Sequence, residues 1–236
     1  MSTPLSQIVP VLEALAPLRY AESWDNVGLL LEPHHDDHPV NRVLLTIDLG
    51  EDVLDEAEER GAELVIAYHP PIFAGLKRLT QGTAGERVLI EALRSGIAVY
   101  SPHTALDAAP RGVNDWLAQA LGEGARAPLV PAADGSADTG MGRSVVLATA
   151  LGLNAIVARV KAHLGLAHLR VASAPKHDEG ALITHAAVCA GAGGSLFAPL
   201  HGPELYLTGE MRHHDVRAKV TAGASVILCD HTNTER

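Results

Sequence analysis

Short, mainly apolar runs alternate in this sequence with helix-length segments that end in glycine. VLLTIDL (43–49), ELVIAY (63–68) and IAVYS (97–101) are too short to be buried helices. They also lack the polar alternation of a half-exposed strand, so they predict strands covered on both faces. Between them, residues 51–60 (EDVLDEAEER) carry acids in a first helical turn and are closed by Gly61, and a helix over 85–95 is stopped by Gly96. A helix at 4–18 precedes these elements and one at 111–121 follows. The second half reads as strand 144–149, helix 153–164, strands 168–173 and 182–190, strand 204–208, helix 211–222 and strand 225–230. This order predicts an α/β fold of two βαβ-containing lobes with largely parallel sheets. The Pro-, Gly-, Ala- and Asp-rich stretch 122–142 is expected to link a first lobe, 1–121, to a second, 143–236, packed with the first as one unit.

Composition narrows the function classes. Apolar residues make up 47% of the 236 positions, enough for a core, but aromatics only 3%. The net charge of −10 argues against nucleic acid as a partner, because phosphate binding wants a basic face. No apolar run approaches ~18 residues, and the N-terminus lacks the basic region of a signal peptide, so a cytoplasmic protein without a membrane span is expected. Cys189 and Cys229 sit in apolar runs without zinc-ribbon spacing and read as buried free thiols.

Two stretches align without a gap at a shift of 162 residues: LLTIDLGEDVLDEAEERGAELVIAYH and YLTGEMRHHDVRAKVTAGASVILCDH. Asp48 falls on Glu210, Gly61 on Gly223 and His69 on His231. Each copy reads strand, acid, helix, glycine, strand, histidine.

The chain has 13 histidines against four lysines, and histidine is the side chain most used to hold transition metals. Five expected strands end in candidate ligands: Asp48, His69, His103 with Asp107, Glu210, and His231 with Glu235. In a parallel sheet, sites form beyond the carboxyl ends of the strands. Imidazole and carboxylate together suit a borderline divalent ion, which lowers the pKa of bound water. Singly, each residue also reads as an ordinary capping or loop residue. His34, His35 and His38 read as a solvated loop; His163, His168, His177, His185 and His201 read as structural or exposed. His213 and His214 open a helix beside Glu210. TGMGR (139–143) reads as a hinge rather than a phosphate loop, since no P-loop lysine follows. Lys77 and Arg78, after the His69 loop, are candidates for holding an anionic substrate.

ESWDNVGLL, AYHPPIFAGLKRLT, YSPHTALDAAPRGVNDWLA, LYLTGEMRHHD and ILCDHTNTER resemble the Nif-three-like proteins, a dinuclear-metal, hexamer-forming family. Some of its members are labelled GTP cyclohydrolase I type 2. The resemblance implies two α/β lobes with a metal site between them at strand carboxyl ends, and a toroidal homohexamer. It implies His69, Asp107, His231 and Glu235 as ligands for one or two divalent ions (Zn, Fe, Mn or Ni), with His103 beside them as a proton relay. Tyr68 stands where many members have a second histidine, and a phenol is the poorer ligand at neutral pH unless the metal depresses its pKa. Glu235 falls next to the last residue, where fraying is expected. The implied function is a metal-dependent hydrolase acting on a nucleotide or another phosphorylated small molecule. The alternative is a non-catalytic metal-binding ring serving as scaffold, metal chaperone or regulator. A ring threading nucleic acid fits the acidic balance least.

Overall fold

The computed structural model describes residues 2–34 and 37–236, so His35 and Asp36 of the expected solvated loop lie outside the described residues. The chain divides into two compact units, Met1–Leu106 and Asp107–Arg236.

The first unit runs β1 (Thr3–Pro4), α1 (Leu5–Leu15), β2 (Gly28–Leu31), β3 (Pro39–Val40), β4 (Val43–Thr46), α2 (Glu51–Arg60), β5 (Leu64–Ala67), α3 (Ala84–Arg94) and β6 (Ala98–Ser101). Its main sheet has the order β2-β6-β5-β4. β4, β5 and β6 are parallel, and β2 is an antiparallel edge strand on β6. Leu54 and Ala57 of α2 and Val88 and Ala92 of α3 bury one face with Val65, Ala67 and Val99. On the other face Leu5, Ile8 and Leu12 of α1 pack against Leu64, Ala98 and Tyr100. α2 ends where the sequence predicts, with Gly61 left-handed at φ 64° and its N–H on the carbonyls of Ala57 and Glu58. Thr83 caps α3 by accepting the Glu86 N–H.

α4 (His103–Ala108) follows β6. The second unit then contains α5 (Val113–Gln119), β7 (Gly124–Ala127), β8 (Val130–Pro131), β9 (Gly140–Met141), β10 (Arg143–Leu151), α6 (Leu153–Leu164), β11 (Arg170–Ala172) and α7 (Pro175–Asp178). It closes with β12 (Ile183–Ala192), α8 (Gly194–Phe197), β13 (Leu205–Glu210), α9 (His213–Thr221) and β14 (Ser225–Leu228). The sheet order is β11-β14-β13-β12-β10-β7. Ala187, Phe197, Tyr206 and Val226 centre its core.

Two expectations change. Only β12, β13 and β14 are parallel in this sheet; β7, β10 and β11 pair antiparallel, so the sheet is mixed. An antiparallel neighbour needs no helical crossover, and the β8–β9 ribbon returns the chain from β7 to β10 directly. The boundary also differs: it falls at 106/107, and the 122–142 stretch is woven into the second unit, with β7 registered on Ser144–Leu147 of β10. Arg143 explains the TGMGR segment. Its buried guanidinium takes both Asp115 oxygens, at 2.6 and 2.9 Å, and the carbonyls of Gly140 and Gly142, each at 2.7 Å. The segment wraps an arginine of its own and is neither hinge nor phosphate cradle. Among the described residues no helix is long and apolar enough to cross a membrane.

Candidate functional site

In the first unit the parallel pairing of β4 and β5 brings the chain after each strand side by side, with the His69 N–H on the Ile47 carbonyl at 2.9 Å. The His69 side chain turns its Nδ1 onto Asp48 Oδ1 at 2.8 Å. A neutral imidazole that donates from Nδ1 presents the Nε2 lone pair, the tautomer a metal takes.

His103 is built the same way. Its Nδ1 lies 2.7 Å from Oδ1 of Asp25, whose side chain has no solvent exposure. The other Asp25 oxygen accepts from the Thr104 N–H at 3.1 Å and from the Thr104 hydroxyl. Burial opposes the Asp25 charge, but the bonds from His103 and Thr104 outweigh it and hold the carboxyl below its ordinary pKa. His103 has φ 30°, a conformation rare for a residue with a Cβ, and such strain gathers at functional positions. Tyr68 is buried, with its ring centroid 5.1 Å from His69 and 5.7 Å from His103.

In the second unit Glu210 ends β13 and His231 follows β14. His231 Nδ1 lies 3.3 Å from Glu210 Oε2, and its Nε2 lies 3.1 Å from Glu235 Oε1. Hydrogen bonding to Glu235, opposed by burial and reinforced by the Glu235 and Glu210 charges, pushes the His231 pKa up to about 9. A pair of carboxylates that favours imidazolium equally favours a cation in place of its proton. Glu235 is buried rather than frayed, because Thr234 beneath it is anchored: its hydroxyl accepts the Gly191 N–H at 2.8 Å and donates to the His231 carbonyl at 2.7 Å.

Asp107 is also buried, and its backbone carbonyl accepts from Nδ2 of Asn114, which is wholly buried. Oδ1 of Asn114 takes the Ala190 N–H at 2.9 Å. The Asp107 and Glu235 charges both reach Cys189, where burial first and these carboxylates second push the thiol far up, leaving it inert. Cys229 is likewise buried and free.

Two glycines make room for this group. At Gly191, with φ 59°, a Cβ would lie 2.5 Å from Glu235 Oε1 and 3.0 Å from His231 Nε2. At Gly209 it would lie 2.8 Å from the His231 Cα. The bare backbone of Gly191 therefore cradles two donor atoms of the kind a divalent ion needs, and the residues fit such an ion.

The remaining sequence candidates have other roles. Asp48 and Glu210, read as ligands, are hydrogen-bond partners of His69 and His231. His177 Nδ1 pairs with Ser225 Oγ at 2.7 Å, His185 with Ser144 at 2.8 Å, and His163 lies against Trp116. His213 and His214 are exposed with their rings against each other, and Lys77 and Arg78 are exposed. Sequence reasoning missed Asp25, Thr104, Asn114, Gly191 and Gly209.

The family model described as Duf34/NIF3 (NGG1p interacting factor 3) matches residues 3–236. The chain belongs to this family. It is 43% identical to NIF3-like protein 1 of Drosophila melanogaster over 98% of this chain and 78% of that protein. It is 42% identical to the NIF3 homolog of Schizosaccharomyces pombe over 98% and 84%. Among solved structures, a Bacillus cereus protein related to NIF3 superposes with a TM-score of 0.84 at 22% identity, over 98% of this chain and 89% of that one. Reduced HcgD from Methanocaldococcus jannaschii gives 0.81 at 22% identity, over 100% and 90%. At that identity these two structures support the NIF3 fold alone.

Proposed function

We propose that this NIF3-family protein binds a divalent metal ion through His69, Asp107, His231 and Glu235, and uses it as a hydrolase of a nucleotide or another phosphorylated small molecule. Zn, Fe, Mn and Ni all suit a donor set of imidazoles and carboxylates. Within the second unit His231 Nε2 and Glu235 Oε1 lie 3.1 Å apart, an imidazole and a carboxylate of the kind such an ion takes. The observation that carries the reading is the doubled arrangement: each unit holds the Nδ1 of its strand-end histidine on a carboxylate, Asp48 on His69 and Glu210 on His231. Carboxylates at that position orient metal-binding imidazoles and raise their basicity.

A bound ion would supply Lewis acidity and a water of lowered pKa. The chain's own residues do the rest. Asp25 fixes His103 with Nδ1 protonated, which leaves Nε2 as the atom that takes and returns a proton. Tyr68 in place of a second imidazole favours one strong metal position over two. Assembly as a homohexamer belongs to the same proposal.

Metal analysis of the purified protein, beside His69→Ala and His231→Ala, tests the ligands. Each variant should lose at least half of the bound metal; full retention by both would remove the assignment. A panel of nucleotides assayed with metal loaded then tests the hydrolase. Metal bound without turnover on any of them favours the scaffold reading.

A further inference from the structure

The chain has only two tryptophans and two phenylalanines, yet Trp24 and Phe73 are 57% and 55% exposed. They are exposed side by side, with ring centroids 5.9 Å apart and planes tilted by 52°. Both stand edge-on to His103, at 6.1 and 6.4 Å. Slack in the backbone does not explain this. Asp25, next to Trp24, is buried under His103 and Thr104. The Glu22 N–H donates to the Thr104 hydroxyl at 3.0 Å, and Asn26 Nδ2 donates to the Ile72 carbonyl at 2.5 Å. Segment 22–26 is pinned on both sides of Trp24, and the Asn26 bond ties it to the residue before Phe73. The tied backbone sets an indole and a phenyl side by side at the surface, beside a histidine whose buried carboxylate engages Nδ1 rather than Nε2.

We infer that Trp24 and Phe73 form a platform for a planar heteroaromatic ring, the base of a nucleotide substrate, presenting that ring to His103. Aromatic side chains are large, stiff and sequence-tolerant surfaces for stacking, and preorganised ones lose little entropy on binding. Lys77 and Arg78 follow Phe73 on the same exposed loop and supply positive charge suited to the nucleotide's phosphate. The inference rests on the hydrolase reading for its purpose, but stacking needs no metal, so the two can fail separately.

The test uses the full chain with Trp116→Phe, which leaves Trp24 as the sole tryptophan. Its fluorescence is titrated with GMP, AMP and UMP, and with ribose 5-phosphate as a ringless control, before and after metal removal with EDTA. Saturable quenching by at least one base-bearing probe and none by ribose 5-phosphate is expected in both metal states. Phe73→Leu should weaken binding roughly tenfold or more, and Phe73→Tyr should restore it. Calorimetry on Trp24→Leu, with Trp116 intact, should show a similar loss. Equal response to ringed and ringless probes, no response, or unchanged affinity in Phe73→Leu and Trp24→Leu would overturn the platform. So would fluorescence that shifts with protein concentration alone, which would assign the rings to contact between copies.

Discussion

Gly191 shows how finely the second unit's donor group is spaced. A methyl there would meet Glu235 Oε1 at 2.5 Å and His231 Nε2 at 3.0 Å, and the positive φ adds strain. Gly191→Ala is expected to weaken metal binding by about 10–100-fold, the range typical when a group supporting metal ligands is disturbed. Competition with a chromophoric chelator measures this; affinity equal to wild type would mean that His231 and Glu235 do not hold the ion. His69 and His231 stood out as candidates because each follows an apolar run, which needs only position along the chain, while Asp107 and Glu235, several residues further on, were picked out as ligands through the family resemblance. Asp25, Asn114 and Thr234 did not stand out. Asp25 meets His103 across 78 residues, Asn114 meets Ala190 across 76, and Thr234 meets Gly191 across 43. A polar residue that supports a site at such separations carries no local signature, and only the fold reveals it.

Among the elements, the strand–helix–strand units were legible because their apolar period, acidic first turns and terminal glycines agree. The helices over 51–60 and 153–164 fall on the residues expected. The repeat at 162 residues also has a structural counterpart, in the matching Asp48–His69 and Glu210–His231 pairs. β7, β8 and β9 were read as linker because their register is set by partner strands rather than by their own pattern. What fixes that region is the contact of α5 with β10 through Asp115 and Arg143. Burial raises the Asp115 pKa, but the hydrogen bonds and charge of Arg143 lower it further, and the net position is below the ordinary value. Asp115→Asn leaves a buried guanidinium uncompensated and should cost about 3–5 kcal/mol, measured by urea unfolding at pH 7. A carboxylate depressed in the folded state stabilises fully above its unfolded pKa, and that contribution is lost as pH falls through the folded value. The gap between wild type and variant should therefore hold from neutrality down to the ordinary aspartate range and narrow below it. A gap independent of pH through that range would show that the charge of Asp115 is not what stabilises α5 against β10.

For the whole molecule, the proposed hexamer requires surface that the single chain leaves bare, and the first unit has such a surface. β4 is the last strand on its side of the sheet, and Val43 and Leu45 point to one face of it. α1 covers that face over β5 and β6 but leaves Leu45 74% and Val43 44% exposed. On α1 itself, Leu15 is 67% and Val11 58% exposed. An open strand edge flanked by apolar side chains is a hazard that proteins cover or charge. Here neither Val43 nor Leu45 carries a charge, so a neighbouring copy is the cover expected. Light scattering on the purified protein should give six times the mass of one chain. Leu45→Lys places a solvated cation where the partner would pack and should shift the mass to smaller species. Because Leu45 faces outward, the same variant should leave the melting temperature of the separated chains within a few degrees of wild type, and its metal content per chain intact. A hexamer that survives the lysine would place the assembly contacts elsewhere on the chain, and a monomeric wild type would remove the ring from the proposal while leaving the metal ligands to stand on their own test.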